Sequence, residues 1–258
     1  NLKTLLVDEK NELGGSTLFQ NEEFNKIENQ SSSEWLKKQI QELKDLKNLE
    51  VKVRTSVAAY HGYNYLLARE NLTDHLEKKD KQNKVRQRLL KIRAKKVILA
   101  TGALERPLVF NNNDRPGIML SSAVKKYADF YGVACGKKLV FFTNNDSAYE
   151  SALCLHNKGI KVEAIIDIRE NSDSKTVKSL EASGIKIHWS HTIVDTHGYK
   201  RLNNVSIMKL SKDGMTVTGK KIKIFCDCLG MAGGWTPAVH LFTQSGGKLR
   251  FDEDNKVF

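Results

Sequence analysis

The stretch 97–117, VILATGALERPLVFNNNDRPG, constrains the fold more than any other part of the chain. A short β-branched apolar run ends in Ala100-Thr101-Gly102. Such a run, apolar without alternation, is expected of a strand buried on both faces of a parallel sheet. The Thr-Gly pair breaks the strand where backbone must pass close to another group. In an open α/β sheet, ligands bind at the carboxyl ends of strands. An α/β chain with a ligand near Ala100, Thr101 and Gly102 is therefore the first expectation.

A second strand end lies at the start of the chain. Thr4-Leu5-Leu6-Val7 runs into Asp8-Glu9, and Leu13-Gly14-Gly15 follows. A carboxylate at the end of the second strand of a Rossmann unit accepts hydrogen bonds from ribose hydroxyls. Each such bond to a charged acceptor contributes roughly 1.5–3 kcal/mol when desolvated. The same charge repels a 2′-phosphate, which favours NAD or FAD over NADP. A solvated acid at a strand end is the competing reading. Gly14, Gly15 and the Ala100-Thr101-Gly102 turn tilt the balance toward ribose. A Rossmann unit also needs an earlier strand, a Gly-x-Gly-x-x-Gly turn and a helix whose N-terminus holds pyrophosphate. No segment after Asn1 supplies that pattern, so the chain reads as an N-terminally truncated fragment of such a fold.

Ser33 is placed to cap a helix whose Trp35, Leu36, Ile40, Leu43 and Leu46 share one face. Residues 49–57 alternate as one strand, and 60–70 with 89–93 suggest an antiparallel meander around a polar loop. A second α/β unit follows Gly117: a helix over 121–131, strands over 139–143, 161–168 and 185–188, helices over 147–157 and 176–183, then a meander over 205–210 and 215–225. The expected organisation is a first dinucleotide-binding domain over 1–116, an inserted unit over 117–225 and a return to the first domain over 226–258. The inserted unit lacks a glycine turn. Where one belongs, the chain reads Thr143-Asn144-Asn145-Asp146-Ser147. Asp146 would repel a pyrophosphate, so a capped helix start is expected there, on a fold that has lost nucleotide binding.

Composition narrows the class. The formal net charge is +12. The densest cationic run, EKKDKQNKVRQR at 77–88, holds no aromatic residue to stack on bases, so a solvated loop is expected rather than a nucleic-acid site. No apolar run approaches the ~20 residues that span a bilayer. The four cysteines, Cys135, Cys154, Cys226 and Cys228, form neither Cys-x-x-Cys nor a zinc spacing. Their use fits packing and a reducing, cytoplasmic compartment. The histidines show no metal pair at helical spacing, with His188 and His191 read as a surface pair flanking a turn. No catalytic acid, base or nucleophile stands out, so any chemistry would be carried by a cofactor.

Three phrases are far more distinctive: ATGALERPLVFNNNDRPGIMLSSAV, YGVACGKKLVFFTNNDSAYESAL and GMAGGWTPAVHLFTQSGGKL. With LLVDEKNELGGSTL they resemble the α subunits of heterotetrameric sarcosine oxidases, through nearly the whole chain. Relatives of that family include opine oxidases, hydrogen cyanide synthase and dye-linked proline dehydrogenases. The resemblance implies a Rossmann-like, two-dinucleotide-binding-domain (FAD/NAD(P)-binding) fold with an inserted second α/β unit. It implies a cytoplasmic oxidoreductase acting on the CH–NH group of amines, converting sarcosine to glycine with hydrogen peroxide and methylenetetrahydrofolate as further products. It implies NAD in this subunit, FAD and FMN elsewhere in the complex, and a tetrahydrofolate region outside these residues. Its partners would be β, γ and δ subunits, with the amine bound on a partner. The family's NAD contacts map onto Asp8 and Glu9, with Lys10 and Ser16 adjacent and Val57 at the adenine. The alternatives are an FAD-dependent pyridine-nucleotide oxidoreductase acting alone, and a non-catalytic scaffold with structural NAD.

Overall fold

The computed structural model describes residues 2–19 and 26–258. The chain divides into two compact units, Asn1–Gly102 with Pro237–Phe258, and Ala103–Thr236.

In the first unit, strand Thr4–Val7 pairs in parallel with Leu49–Lys52, Thr4 opposite Leu49 and Val7 opposite Lys52. Helix Ser32–Lys44 lies between them in sequence. Ser31, not Ser33, caps it. The Glu34 amide donates to Ser31 Oγ at 3.2 Å, and the Ser31 amide donates to the Glu34 carboxylate at 3.4 Å. Only Ser31 has a glutamate three residues on, which completes this reciprocal pair. The run 49–57 is two strands rather than one. The chain turns at Arg54, whose φ of 54° is left-handed, and resumes as Thr55–His61. Thr55–His61, Tyr65–Asn71 and Gln87–Arg93 form the expected antiparallel meander. Leu66 and Ala68 of its central strand are buried.

Residues 97–100 form no strand, contrary to the sequence expectation. Ile98 is 92% exposed. A strand exists only as part of a hydrogen-bonded ladder, and none of the described residues pairs with this run. The outer edge of Thr4–Val7 is likewise unpaired among the described residues.

The second unit holds a five-stranded parallel sheet in the order Ile187–His188, Lys161–Asp167, Lys138–Thr143, Cys228–Ala232, Ile118–Leu120. Cys228–Ala232 is buried at every residue and sits between two parallel neighbours. Residues 226–236 thus belong to this unit and not to a return segment, and the unit begins at Ala103 rather than Gly117. The reason is backbone pairing. Arg106 donates to Gly234 O, and Gly233 donates to Arg106 O, each at 2.8 Å. Gly233 permits this approach, since a Cβ there would lie 2.9 Å from the carbonyl oxygens of Arg106 and Pro107.

Helices Ser147–Asn157 and Ser121–Asp129 pack on the sheet. An antiparallel meander, His191–His197, Asn204–Leu210 and Val217–Phe225, adds a second layer. Val140, Phe142, Ile166 and Leu229 of the sheet form one core with Ile193, Leu202, Val205 and Ile207. Leu139 and Phe141, alternating with these, are also buried. Each such side chain contributes roughly 1.5–3 kcal/mol on full burial. Cys226 and Cys228 are packed in this interior, and burial pushes both thiols up to about 12.

Candidate functional site

Asp8 follows the carboxyl end of strand Thr4–Val7 and is half-buried. Its backbone is held from both sides. The Asp8 amide donates to Lys52 O and the Thr55 amide to Asp8 O, both at 2.9 Å. Oδ1 accepts from the Lys10 amide at 2.8 Å, which leaves Oδ2 without a hydrogen bond among the described residues. Glu9 and Lys10 are exposed and pair with each other at 2.9 Å. The Arg54 amide donates to Lys10 O at 2.6 Å. The left-handed Arg54 thus ties the Asp8–Lys10 loop to the start of strand Thr55–His61. Val57 lies two residues further along that strand, half-buried opposite Ala68. The fold therefore brings Asp8, Glu9, Lys10 and the strand of Val57 together.

Gly14 has another role from the one expected. With φ of 129°, it packs where a Cβ would meet Leu36 Cδ2 at 2.7 Å and Leu18 Cγ at 2.9 Å. Gly15 and Ser16 are exposed and open the 3-10 turn Gly15–Phe19, and nothing lies within 4 Å of a Cβ at Gly15. Ala100, Thr101 and Gly102 are exposed and are tied to Ala238: Thr101 Oγ1 donates to its carbonyl at 2.7 Å, and its amide donates to Gly102 O at 2.9 Å. Among the described residues no hydrogen bond joins this group to the Asp8 loop. Arg54 was not legible in the sequence as a site residue. It falls on a polar position of the alternating run 49–57 and breaks no pattern there.

The carboxylate of Asp8 fits the ribose of a dinucleotide: it stands at a strand end and keeps an oxygen with no hydrogen bond among the described residues. The described residues of this unit offer no phosphate cradle. The N-terminus of helix Ser32–Lys44 is already closed by the Ser31 and Glu34 side chains.

The second unit fills its own phosphate position. Asn145 Oδ1 accepts from the Ser147 amide at 3.0 Å and from Ser147 Oγ at 2.6 Å, at the start of helix Ser147–Asn157. Asp146 provides no side-chain cap. It instead accepts from Arg169 at 2.7 Å and from Ser172 Oγ at 3.0 Å. Arg169 also bonds Asp167, which is fully buried at the end of strand Lys161–Asp167, and Tyr149 Oη donates to the same carboxylate. Burial works against the Arg169 charge, but the bonds to Asp167 and Asp146 outweigh it and raise its pKa. Burial and the Asp167 carboxylate likewise raise the Tyr149 phenol. The two acids that would face a dinucleotide are therefore bound to one guanidinium.

His188 is not on the surface. It is 8% exposed, and its ring meets His191 edge-on with centroids 5.4 Å apart. Burial, Lys186 and His191 bring its pKa down to about 4. Among the described residues no group of three or more His, Cys, Asp or Glu is placed to hold a metal ion, and no helix is long and apolar enough to cross a membrane.

A family model described as pyridine nucleotide-disulphide oxidoreductase matches residues 15–257. The chain belongs to the pyridine nucleotide-disulphide oxidoreductase family. The sarcosine oxidase resemblance also holds along its length. The sarcosine oxidase subunit alpha of Corynebacterium sp. (strain P-1) is 36% identical over 258 residues, covering 99% of this chain and 26% of that protein. The subunit alpha of Rhizobium meliloti (strain 1021) is 33% identical over 263 residues, covering 99% and 24%. The chain thus spans about a quarter of the length of the curated relatives it matches. Among solved structures, L-proline dehydrogenase from P. horikoshii superposes with a TM-score of 0.66 at 23% identity, over 96% of this chain and 40% of that one. T. acidophilum thioredoxin reductase gives 0.66 at 16% identity, over 96% and 73%. These likenesses bear out the α/β, Rossmann-like FAD/NAD(P)-binding fold of this pyridine nucleotide-disulphide oxidoreductase family member.

Proposed function

We propose that these residues are the dinucleotide-binding segment of an oxidoreductase subunit of the sarcosine oxidase α type, with NAD as the bound dinucleotide. One observation carries the reading: Asp8 is fixed by backbone bonds on both sides and keeps a carboxylate oxygen with no hydrogen bond at a strand end. That oxygen would accept the ribose hydroxyls, with Glu9, Lys10, Gly14, Gly15 and Ser16 around it and the strand of Val57 beside the adenine. Ala100, Thr101 and Gly102 would border the same ligand. When bound, the nicotinamide or flavin of a dinucleotide supplies hydride chemistry. The described residues add binding and orientation, and no acid or base is assigned among them. Oxidation of sarcosine or a related amine, FAD and FMN, the tetrahydrofolate step and the β, γ and δ partner subunits belong to this proposal through the names and family of the relatives. A cytoplasmic location is part of it.

The Arg169 network favours this reading over an independent pyridine-nucleotide oxidoreductase that docks NADH in the second unit. There, both acids and the helix start are already engaged.

The test is Asp8→Asn in the full-length subunit. The neutral amide should keep the Lys10 contact and the fold. It should weaken dinucleotide retention by about tenfold or more, the loss of one charge-assisted hydrogen bond. Full dinucleotide occupancy after prolonged dialysis of the variant would refute the assignment.

A further inference from the structure

The basic run between the second and third strands of the first meander continues through the third strand, which is a sheet edge. Between Lys78 and Lys96 the chain carries ten lysines and arginines against one acid, Asp80. Arg88 reaches Glu70 at 3.4 Å and Lys79 reaches Glu77 at 3.0 Å. Lys84, Arg86, Lys91 and Lys95 lie beyond ion-pair distance of any described carboxylate.

Strand Gln87–Arg93 lies in the middle of this run. One of its edges pairs with Tyr65–Asn71, and the other has no strand beside it among the described residues. Its side chains alternate. Leu90 and Ile92 lie opposite Ala68 and Leu66 and are half-buried. Gln87, Leu89, Lys91 and Arg93 are exposed, Leu89 by 62%, and Val85 just before the strand by 65%. The free edge therefore offers a row of backbone donors and acceptors, with apolar and cationic side chains in turn.

The geometry points to this edge as the docking site for an acidic, extended segment of a different polypeptide, added as a fourth strand. An added strand gains affinity from the backbone ladder and specificity from alternate side chains. Charge decides the occupant. Lysines on an edge repel a second cationic strand, and this chain carries +12 overall, so another copy is disfavoured. The same charges attract glutamates and aspartates and speed their encounter. A nucleic acid fits less well. The segment 77–96 has no aromatic residue, and the neighbouring Tyr65 ring is covered by the Arg93 guanidinium at 5.6 Å.

The experiment uses the full-length chain and a fluorescent peptide of about eight residues alternating glutamate and valine, a usual strand length. Anisotropy should show binding that weakens as salt rises. The triple variant Lys84→Glu, Lys91→Glu, Lys95→Glu should bind at least about tenfold more weakly. A version of the peptide N-methylated at every residue keeps its charges but has no backbone donor on either edge, so it cannot extend the ladder, and it should not bind the unaltered protein. That second probe does not depend on how the variant folds. Absence of binding by the first peptide overturns the proposal. So does equal binding of the N-methylated peptide, or its displacement by single-stranded DNA or phosphatidylserine vesicles at lower concentration than by unlabelled peptide.

Discussion

At the scale of single residues, the second unit is governed by two buried polar groups. Asp167 is fully buried and survives there because Arg169 and Tyr149 both donate to it. Removing one partner of such a group leaves an uncompensated charge, which costs about 3–5 kcal/mol in a fully buried pair. The Arg169 side chain is 31% exposed, so solvent screening lowers this to roughly 2 kcal/mol. Arg169→Gln should lower the urea midpoint of the second unit accordingly, with little change in the slope. His188 acts through pH. Its pKa of about 4 in the folded chain lies below the ordinary 6.5. Between those values the unfolded chain takes up a proton that the folded one refuses. Its contribution to stability is therefore complete above about pH 6.5 and is lost as the pH falls toward 4, by an amount on the order of 3 kcal/mol. His188→Gln should flatten the stability profile across that window, measured by denaturant titration at a series of pH values.

At the scale of elements, local signals and their exceptions have separate causes. Helix Ser32–Lys44 begins at the residue whose side chain closes a reciprocal pair with Glu34. Ser31→Ala should therefore cost about 1 kcal/mol, while Ser33→Ala should cost little, because its hydroxyl caps nothing. Thermal melts of the two variants separate them. The helix over 147–157 was legible to the residue, since its polar start and apolar face agree. The strand expected over 97–100 failed for a reason that sequence does not carry. Its residues have the right character, but a strand also needs a neighbour. The break at Arg54 failed in the opposite sense: an arginine has no preference for a left-handed backbone, and the bonds of its amide to Lys10 O and of the Asn71 amide to its carbonyl, with the ion pair to Asp74, hold it there.

At the scale of the whole molecule, burial is divided unevenly between the two units. Leu66 and Ala68 are the buried apolar side chains of the first unit among the described residues, and the others all belong to the second. Opening free energies follow buried apolar contact. Amides of Lys138–Thr143 and Cys228–Ala232 should therefore exchange with solvent far more slowly than those of Thr4–Val7 and Thr55–His61. Hydrogen exchange followed by mass spectrometry reads this directly, and equal protection in the two units would contradict it. Bound dinucleotide should raise protection around Asp8 selectively, because a ligand stabilises only the states that bind it.

The sequence by itself determined the α/β class, the meander, most helices and strands of the second unit, and the family resemblance. These depend on periodicity, caps and turn residues, which are properties of neighbours along the chain. It also singled out Asp8, because an acid after a short apolar run is a local pattern. Only the tertiary structure decided that Cys228–Ala232 lies within the second sheet, that Gly14 serves packing against Leu36, and that Asp146 is held by Arg169. Each of those depends on which distant groups meet, and a parallel strand or a buried ion pair leaves no mark on the spacing of the residues around it.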